Sequence, residues 1–430
     1  MKNLDLLLIR PSNWSLYPKG ERKTFLEPIG LEYIASNCVK SGFSVKILDM
    51  DLRGEENREI DLFEIFCTYS VRYVGITAYS PLVKETKMVV DYVRANSYAS
   101  IFVGGPHVSA LMNSEDRECL KSIGADFYVS GEGELTVSNI LGSDAKEMGM
   151  FIDGKQLDNI NEYPYPSRNL IDRSRLYLDH NFGVKKQKLA SVITSRSCPY
   201  QCVFCASKTI FGNKLRLRSI DNIRGELEGL KDIGINTIIF LDDTFTFDKQ
   251  RTLELCSVIG KIGFSYWLDT RVDTVDDDIV LALKESGCKF ITFGVESGSP
   301  EILRSIKKGI TVEQVKNACE LTRKYGISTK ANFMIGHSGE TRDQVMETIA
   351  LARELASTKI SFYKVIPLPG TKLFNMLDHK AKADFSNFAW YKNPPIISKM
   401  TSEEMDELQV LAYKIIKDRV EHNKIYAVKS

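Results

Sequence analysis

The feature that most constrains the fold of this chain is a regular alternation between short apolar segments and longer stretches of helical period. In the first part, apolar segments predict strands at 4–9, 44–48, 73–77, 100–103 and 126–129. Helices are predicted between them at 30–40, 82–94 and 114–123. Fully apolar strands that alternate with helices form parallel sheets covered on both faces. We therefore predict an α/β protein that begins with a doubly wound, Rossmann-like domain over residues 1–145.

Small or polar residues follow three of these predicted strands and form a candidate ligand site. They are Thr77, Tyr79, Gly104, Gly105, Pro106, Gly131 and Glu132. Parallel sheets bind ligands beyond the carboxyl ends of their strands, where these residues come together. Glycine there lets a bulky or phosphate-bearing ligand approach the backbone closely. The alternative is that each is only a tight turn between a strand and a helix.

A second alternation starts near residue 189 and predicts another sheet. Its strands are predicted at 189–194, 237–241, 265–268, 290–295, 328–335 and 361–366. Six strand–helix units are too few for a closed eight-stranded barrel, so we expect an open, partial (β/α)6 barrel over 189–366. The prolines at 164 and 166 make 146–188 a linker. A small helical C-terminal segment, 367–430, completes the chain, with its last helix predicted over 402–421.

Three closely spaced cysteines follow the first strand of the second series. Cys198, Cys202 and Cys205 have CxxxCxxC spacing. Three thiolates can bind three irons of a cubic iron–sulfur cluster and leave the fourth iron open. A closed zinc site needs a fourth ligand, and the sequence offers none nearby. The other six cysteines lie singly in apolar patterns and are predicted core residues: Cys38, Cys67, Cys119, Cys256, Cys288 and Cys319.

The cysteine spacing, together with Phe204, resembles the radical S-adenosylmethionine (SAM) superfamily. The resemblance implies a [4Fe-4S] cluster whose open iron is chelated by the amino and carboxylate groups of S-adenosyl-L-methionine. It implies that Glu296 binds the ribose, that the methionine end lies near Asp242, and that Arg271 is a candidate for its carboxylate. We interpret Asp243 and Glu340 instead as helix N-caps, because acidic residues after strands often cap the next helix.

The first domain resembles the cobalamin-binding domain found ahead of radical SAM cores. The similarity lies in 28–31 at the first helix and in 103–107 after the fourth strand. The Asp-x-His-x-x-Gly signature of cobalt-coordinating histidines is absent, so the resemblance implies that a residue within 79–82 meets the lower face of cobalamin. His107 is interpreted as a hydrogen-bonded turn residue rather than as a cobalt ligand. The seven residues after the strands become candidate cobalamin contacts.

Composition limits the partners. The chain has 57 basic and 56 acidic residues, so no global charge favours nucleic acid. No apolar run approaches the roughly 18 residues that span a bilayer. Free cysteines and a reduced cluster favour a cytoplasmic protein. The resemblance implies a small-molecule substrate and a reductant such as flavodoxin or ferredoxin. The aromatic residues within 385–391 are expected to seal a core, with a place at the substrate entrance as the alternative.

The resemblance implies an enzyme that forms a 5′-deoxyadenosyl radical and, with cobalamin, methylates an unactivated carbon or a phosphorus centre of a small biosynthetic substrate. A non-methylating rearrangement, cyclisation or oxidation with the same cofactors stays open. A non-enzymatic electron-transfer or sensor protein is the alternative of another class. Such a protein is expected to bind each cube with four thiolates, whereas only three cysteines cluster here.

Overall fold

The computed structural model describes residues 1–16, 26–51, 58–143, 150–172, 188–382, 384–389 and 392–427. Six parallel strands form the first sheet, and they are numbered in chain order. They are β1 (Lys2–Arg10), β2 (Val45–Asp49), β3 (Tyr69–Thr77), β4 (Ser100–Gly104), β5 (Phe127–Ser130) and β6 (Phe151–Asp153). The order across the sheet is β2-β1-β3-β4-β5-β6, which is a doubly wound arrangement whose strand order reverses between β1 and β3.

Helices cover both faces of this sheet. They are α1 (Ile29–Lys40), α2 (Arg58–Thr68), α3 (Val83–Asn96), α4 (Pro106–Leu111) and α5 (Glu134–Gly142). Successive strand residues point to opposite faces, so Leu6 and Leu8 pack with α1 and α5 while Leu7 and Ile9 pack with α3. Two separate apolar cores result, one on each side of the sheet. The α/β fold class predicted from the sequence is confirmed.

Several local features differ from the prediction. Helices α2, α4 and α5 were not predicted, and β6 lies inside the segment interpreted as a linker. The predicted helix at 114–123 is a 3-10 helix, Glu115–Ile123, which begins at the Ser114 cap and ends at Gly124 with φ of 88°. Only Leu120 and Ile123 of that segment are buried, and their spacing of three residues matches the 3-10 period. Residues 146–149 and 173–187 of the predicted linker lie outside the described residues.

The second half of the chain contains a second parallel sheet and a short antiparallel pair. Its strands are β7 (Leu189–Val192), β8 (Ser195–Arg196), β9 (Arg216–Leu217), β10 (Thr237–Phe240), β11 (Ser265–Thr270), β12 (Cys288–Glu296), β13 (Ser328–Ile335) and β14 (Lys359–Lys364). The large sheet has the order β14-β13-β12-β11-β10-β7, and β8 pairs with β9. Its outer strands β7 and β14 do not pair with each other, which gives the open, partial barrel expected from six strand–helix units.

Nine helices are described in the second half. They are α6 (Lys208–Phe211), α7 (Ile220–Asp232), α8 (Lys249–Ile262), α9 (Asp277–Glu285), α10 (Pro300–Ser305), α11 (Val312–Lys324), α12 (Arg342–Glu354), α13 (His379–Lys382) and α14 (Ser402–Ala427). Capping explains where several begin, since Thr311 and Thr341 each form a capping box with the glutamine three residues later. The outward strand residues, such as Phe293 and Phe333, pack against these helices in one large core.

The C-terminal segment returns to the first domain. Phe374 and Phe388 join the apolar core that lies beside α3, and Lys382 pairs with Asp116 at 3.2 Å. The described aromatic residues 385–389 therefore seal a core, as predicted; Trp390 and Tyr391 lie outside the described residues. Within the described residues, no helix has both the length and the apolarity needed to cross a membrane.

The prediction that six isolated cysteines are core residues is wrong for two of them. Cys38, Cys256, Cys288 and Cys319 are buried, but Cys67 and Cys119 are exposed. Cys67 is the penultimate residue of α2 and Cys119 lies in the polar 3-10 helix. Both sit on amphipathic elements, where a one-residue error in the assumed helical phase moves a side chain from the core to the surface.

Candidate active site

The three clustered cysteines lie on the loop that joins β8 to α6, at the carboxyl edge of the second sheet. Ser197, directly before Cys198, has φ of 73°, a left-handed conformation that is uncommon outside glycine. The amide of Cys205 donates to the carbonyl of Cys202 at 3.2 Å, and the amide of Val203 donates to the carbonyl of Ile306 at 3.0 Å. These backbone bonds fold the loop tightly and fix it to the end of α10.

Two cations lie beside Cys202. Nη1 of Arg271 is 3.9 Å from its Sγ, and the guanidinium lies 3.7 Å from the ring centre of Tyr200. Lys308 is buried, and its charge acts on Cys202 as well. Arg271 also pairs with Asp273 at 2.8 Å and donates to the carbonyl of Lys308 at 2.6 Å. Positive charge is therefore held against the cysteine loop from two directions.

This loop fits a cubic cluster better than a single metal ion. Among the described residues, no three His, Cys, Asp or Glu side chains converge closely enough to hold one ion, although the charges of Cys198 and Cys202 reach Cys205. In a cube each thiolate binds a different iron, so the sulfurs need not converge on one point. Desolvation raises the pKa of Cys205 to about 11, so metal binding there must release a proton. The flanking cations suit the negative charge of a thiolate-bound cluster.

Glu296 ends β12 in a strained conformation that faces the cysteine loop. Its φ is 72°, and Lys308 donates to its carboxylate at 2.8 Å. The ammonium of Lys308 lies 5.9 Å from the ring centre of Phe204, and that ring lies 6.2 Å from the ring of His337. Backbone strain in a non-glycine residue costs energy and clusters at functional sites. The structure thus brings Phe204 and Glu296, two of the predicted SAM-binding residues, into one cluster with Lys308.

Asp242, also predicted to lie near SAM, is buried in a hydrogen-bonded turn. Its carboxylate accepts from the amide of Thr194 at 3.1 Å, from the hydroxyl of Thr194 at 2.8 Å and from the hydroxyl of Ser195. Those contacts fix the segment between β7 and β8, immediately ahead of the cysteine loop. Arg271, the candidate for the methionine carboxylate, is held by Asp273, Tyr200 and Cys202 as described above.

The N-cap interpretation of Asp243 is wrong. Helix α8 begins six residues later, and Asp248 is its cap. Asp243 is exposed, accepts from the hydroxyl of Ser207 at 2.5 Å, and lies close enough to Cys205 for its charge to raise the pKa of that thiol. Alternation along the strand end places Asp243 on the same side as Leu241, toward the barrel interior. Of the two adjacent aspartates, Asp243 is the one beside the cysteine loop.

The N-cap interpretation of Glu340 is wrong as well. Thr341 caps α12, and Glu340 folds back so that its carboxylate accepts from the amides of Gly336 at 2.7 Å and His337 at 3.1 Å. Gly336 has φ of 101°, which the tight turn after β13 requires. Desolvation raises the pKa of Glu340 to about 7. The turn that carries His337 is therefore built around a buried carboxyl group.

A cavity of about 370 Å³ lies between the two domains. All seven candidate residues of the first domain are on its wall: Thr77, Tyr79, Gly104, Gly105, Pro106, Gly131 and Glu132. The second domain contributes residues from the cysteine loop region, including Arg196, Ile210 and Phe211. The cavity thus joins the carboxyl edge of the first sheet to the elements that flank the cysteines.

One end of this cavity is apolar and enters the first domain between the sheet and helices α1 and α5. Leu8, Phe102, Val129 and Val137 line it. Gly75 is required there, because a Cβ at that position would lie 2.4 Å from the ring of Phe102. An apolar cleft beside a glycine-rich strand edge suits a large cofactor that has an aromatic base on a flexible tail. Cobalamin is such a molecule, and the apolar lining of this end suits its base-bearing tail.

A second cavity, of about 470 Å³, adjoins the first. Arg10, Tyr79, Pro106 and Ile210 line both cavities. Further walls come from Ala206 to Ile210, which follow the cysteines, and from the C-terminal segment, including Leu368, Pro369 and Phe388. Among the described lining residues most are apolar, so this space suits an organic substrate more than a polyanion.

His107 is buried near these cavities, and one of its ring nitrogens has a hydrogen-bond partner. Its Nδ1 lies 3.0 Å from the hydroxyl of Ser80, and its ring packs edge-on against Phe385 at 4.7 Å. Burial lowers its pKa to about 4. The interpretation of His107 as a hydrogen-bonded turn residue agrees with these contacts.

Buried ion pairs join the two domains. Arg196 contacts Glu132 at 2.8 Å and Glu134 at 2.5 Å, while Arg216 donates to both carboxylate oxygens of Glu132. Tyr163 donates to Glu132 at 2.8 Å, and the Arg196 guanidinium lies 4.6 Å from its ring centre. The carboxylate of Glu132, a candidate cobalamin contact, is therefore bound by the second domain. We call Glu132, Glu134, Arg196 and Arg216 the interdomain ion cluster.

Sequence reasoning missed Lys308, Asp243 and the arginines of the interdomain ion cluster. Lys308 follows another lysine and precedes a glycine, a pattern typical of an exposed turn, so nothing marked it as buried. For Asp243 the sequence did contain a signal, because the alternation of strand residues, continued past Leu241, places Asp243 on the inner face of the barrel. Arg196 lies two residues before Cys198, but its partners are more than 60 positions away in the chain, and one sequence does not pair them.

A doubly wound domain with an interdomain cavity, joined to an open parallel barrel with a three-cysteine loop, defines a class of iron–sulfur enzymes that use a second, larger cofactor. Family models agree with this division. Residues 192–352 match the radical SAM superfamily, and residues 19–141 match the B12 binding domain.

The most informative relative is a protein of Pyrococcus horikoshii described as uncharacterized methyltransferase PH0819. It is 33% identical over 98% of this chain and 96% of its own length. The anaerobic magnesium-protoporphyrin IX monomethyl ester cyclase of Rubrivivax gelatinosus is 24% identical over 84% of this chain and 68% of the relative. The chain belongs to the cobalamin-binding radical SAM superfamily of enzymes.

A solved structure shares the whole architecture. The radical SAM methyltransferase TsrM from Kitasatospora setae, solved with cobalamin and a [4Fe-4S] cluster bound, superposes with a TM-score of 0.69 at 19% identity. The match covers 89% of this chain and 78% of that one. At this identity the likeness concerns the fold.

Proposed function

We propose that the chain is a cobalamin-dependent radical SAM methyltransferase that acts on a small organic substrate. The observation that carries the proposal is the interdomain cavity, whose wall combines the seven strand-end residues of the first domain with residues that flank the cysteine loop. Support for methyl transfer comes from the relative of 33% identity, which is described as a methyltransferase. The cyclase relative keeps a non-methylating reaction as the second candidate.

Cys198, Cys202 and Cys205 would bind a [4Fe-4S] cluster, and Arg271 and Lys308 would stabilise its negative charge. When bound, the cluster and S-adenosyl-L-methionine supply a carbon radical, and cobalamin supplies a methyl group. Glu296 is suited to accept hydrogen bonds from ribose hydroxyls, because Lys308 contacts only one of its oxygens. Phe204 would pack beside the same nucleoside.

For the ammonium of the methionine end, Asp243 is better placed than Asp242. The carboxylate of Asp242 already accepts three kinds of donor, whereas Asp243 accepts from the Ser207 hydroxyl and lies beside Cys205. An exposed carboxylate near the open iron suits a ligand that must chelate that iron with its amino group. Asp242 would then act by holding the segment that leads into the cysteine loop.

Six of the strand-end residues would contact cobalamin directly, and Glu132 would act mainly through the interdomain ion cluster. Tyr79 projects where the two cavities meet, and its hydroxyl lies near Arg10. It is our candidate for the residue that meets the lower face of cobalamin. The aromatic hydroxyl is neutral there, because desolvation raises its pKa.

The chain's residues would also exclude water. Phe374 and Phe388 hold the C-terminal segment over the second cavity, whose described wall is mostly apolar. A radical on carbon reacts with whatever hydrogen lies near, so a dry, shaped space limits side reactions. We further propose a flavodoxin or ferredoxin as reductant and a cytoplasmic location.

The test is anaerobic reconstitution of the full chain and of three variants, Cys198→Ala, Cys202→Ala and Cys205→Ala. Each variant is expected to lose bound iron and sulfide and to release no 5′-deoxyadenosine from SAM. Cys119→Ala, which removes an exposed cysteine outside the loop, is the matched control and should retain both. An electron carrier would keep its iron and release no 5′-deoxyadenosine even as wild type, which would overturn the proposal.

Methyl transfer is tested separately. SAM with a deuterated methyl group is supplied to the reconstituted enzyme together with candidate substrates from its own pathway. A product heavier by the labelled methyl supports the proposal. A product of unchanged carbon count with equal release of 5′-deoxyadenosine would support the cyclisation or oxidation alternative instead.

A further inference from the structure

Three polar side chains form a row across the inner face of the partial barrel. In the sheet register Asp269 of β11 is opposite Thr292 of β12, and Thr292 is opposite Lys330 of β13. Their neighbours Leu268, Phe293 and Ala331 belong to the core under the outer helices. Because strand residues alternate between faces, the row points the other way, into the barrel.

The row is the first polar layer above an apolar floor. Leu189, Ile239, Trp267 and Phe290 pack together on the amino-terminal side of the row. Trp267 and Phe290 each lie two residues before a member of the row on the same face of the sheet. Asp269 is exposed and Thr292 and Lys330 are partly buried, so this polar layer is accessible to a ligand.

The two charged members of the row do not pair with each other. Nζ of Lys330 donates to the hydroxyl of Tyr363 at 2.7 Å, and in the part of the chain that the structure describes no carboxylate lies within 4 Å of it. Asp269 is hydrogen-bonded to Thr292, and its charge and that of Lys330 act on each other only at longer range. Two strand spacings of about 4.8 Å separate their backbones. A gap between opposite charges results.

The gap lies in a confined space. The side chain of Asp269 is solvent-accessible, yet desolvation by the surrounding protein raises the pKa of its carboxyl group. Both observations hold when the carboxylate faces the barrel interior rather than bulk solvent. Charges in such a space lose hydration and gain much from an opposite charge placed between them.

A third group on the same face lacks a partner. The side-chain oxygen of Asn332 is buried and, among the described residues, accepts no hydrogen bond. Asn332 lies two residues beyond Lys330 and opposite Gly294, on the way from the row to Glu296. The side-chain oxygen of Asn332, the carboxylate of Asp269 and the ammonium of Lys330 thus face one space. The proposed cofactors do not occupy it.

We propose that this row binds the polar end of the substrate, and that the substrate is a zwitterion with an ammonium group for Asp269 and an anionic group for Lys330. The inference rests on the proposed function, because it places the substrate inside the barrel, below the proposed cofactors. Asn332 would accept a further hydrogen bond from the ammonium. SAM is also a zwitterion, and Asp243, our candidate for its ammonium, is close enough for its charge to act on Asp269. Its ribose is expected at Glu296, four strand residues or about 13 Å from Thr292, and competition with SAM is therefore tested directly.

The experiment uses reconstituted full-length enzyme and a series of ω-amino acids from glycine to 6-aminohexanoate as probes. Trp267 lies on the floor beside Asp269, so its fluorescence reports binding, and Trp267→Phe confirms the source of the signal. One chain length is expected to bind best. N-acetylation or esterification of that probe should weaken binding about tenfold or more, since a charged hydrogen bond is worth about 1.5–3 kcal/mol.

The variants Asp269→Asn and Lys330→Met should each weaken the best probe about tenfold or more. The matched controls are Asp232→Asn and Lys289→Met, which alter exposed residues and should leave binding unchanged. The inference is overturned when no probe binds, when the row variants bind as well as the controls, or when SAM displaces the probe competitively. Release of 5′-deoxyadenosine is measured in the same preparations, so failure of the proposed function shows separately.

Discussion

The carboxylate of Glu296 accepts a hydrogen bond from Lys308 at 2.8 Å while its own backbone is held at φ of 72°. The backbone conformation and the ion pair depend on each other. The left-handed turn at the end of β12 directs the carboxylate of Glu296 toward Lys308, and the ion pair offsets the backbone strain. A Cβ at Gly294 would lie 2.5 Å from this carboxylate, so the approach also depends on that glycine. Cys202, Phe204 and His337 all lie near this pair.

We predict that Glu296→Gln weakens SAM binding to the reconstituted enzyme by about 10- to 100-fold, because one charged hydrogen bond is worth about 1.5–3 kcal/mol. Equilibrium binding to the cluster-loaded protein measures it. Iron content should stay unchanged, because Glu296 is not a cysteine ligand. The matched control is Glu313→Gln, an exposed glutamate of α11. Equal SAM affinity in Glu296→Gln and wild type would contradict the ribose assignment.

The interdomain ion cluster predicts strong coupling between distant residues. Arg216→Met leaves Glu132 with one arginine fewer in a buried site, and breaking a buried pair destabilises by about 3–5 kcal/mol. The free energy of unfolding of the protein without its iron–sulfur cluster, measured by denaturant titration, should fall by about 3–5 kcal/mol. Adding Glu132→Gln to Arg216→Met should recover part of the loss, since the uncompensated carboxylate is then gone.

The control for this prediction is the surface pair of Lys214 and Asp158, whose atoms lie 2.7 Å apart with both side chains exposed. Lys214→Met should leave the free energy of unfolding nearly unchanged, because water screens such pairs. If Arg216→Met proves as mild as Lys214→Met, the two domains are not held together by these charges.

The proposed cobalamin site predicts that a larger side chain in the first cavity will exclude the cofactor. Val137 lines the apolar end of the cavity beneath α5, so Val137→Phe should fill the space and abolish cobalamin retention, read from the visible spectrum. Iron content of the same protein should be normal, because the cysteine loop is in the other domain. Val137→Ala is the control, and it should retain cobalamin at a stability cost of about 1–3 kcal/mol. Retention of cobalamin by Val137→Phe would place the cofactor elsewhere.

Much of the fold was predictable because local signals agreed with each other. The predicted strand at 328–335 coincides with β13, where apolar residues alternate and a glycine follows. Helices α11 and α12 begin at threonines that form capping boxes with glutamines visible in the sequence. Among the segments that were missed, α2 is a charged stretch, α4 and α5 are short helices that follow strand-end turns, and β6 is a strand of three residues.

The site was predictable only where its residues are close in sequence or follow neighbouring strands of one sheet. The three cysteines are close in sequence, and the strand-end residues meet because parallel strands end at one edge. Asp243 and Glu340 were misassigned because the N-cap argument depends on the first residue of the helix, and those helices begin at Lys249 and Arg342. Lys308 and Arg196 act through partners from other elements, which a single sequence does not reveal.

Glu340 predicts a pH dependence of stability with a definite sign. Desolvation raises its pKa to about 7 from an ordinary value of 4.5, so between these values the folded protein holds a proton that the unfolded chain has released. Stability from this group is complete at low pH and declines as the pH rises through that window, by up to about 3 kcal/mol. Glu340→Gln keeps an acceptor for the amides of Gly336 and His337 but does not ionise.

The free energy of unfolding of Glu340→Gln minus that of wild type should therefore rise by up to about 3 kcal/mol between pH 5 and pH 8. Burial lowers the pKa of His337 to about 4, so this residue destabilises the folded state as the pH falls below the ordinary pKa of histidine. The effect is common to both proteins, and the difference between them isolates Glu340. Glu313→Gln, at an exposed position, should give a flat difference over the same range. Parallel curves for Glu340→Gln and wild type would mean that the carboxyl group titrates normally in the folded protein.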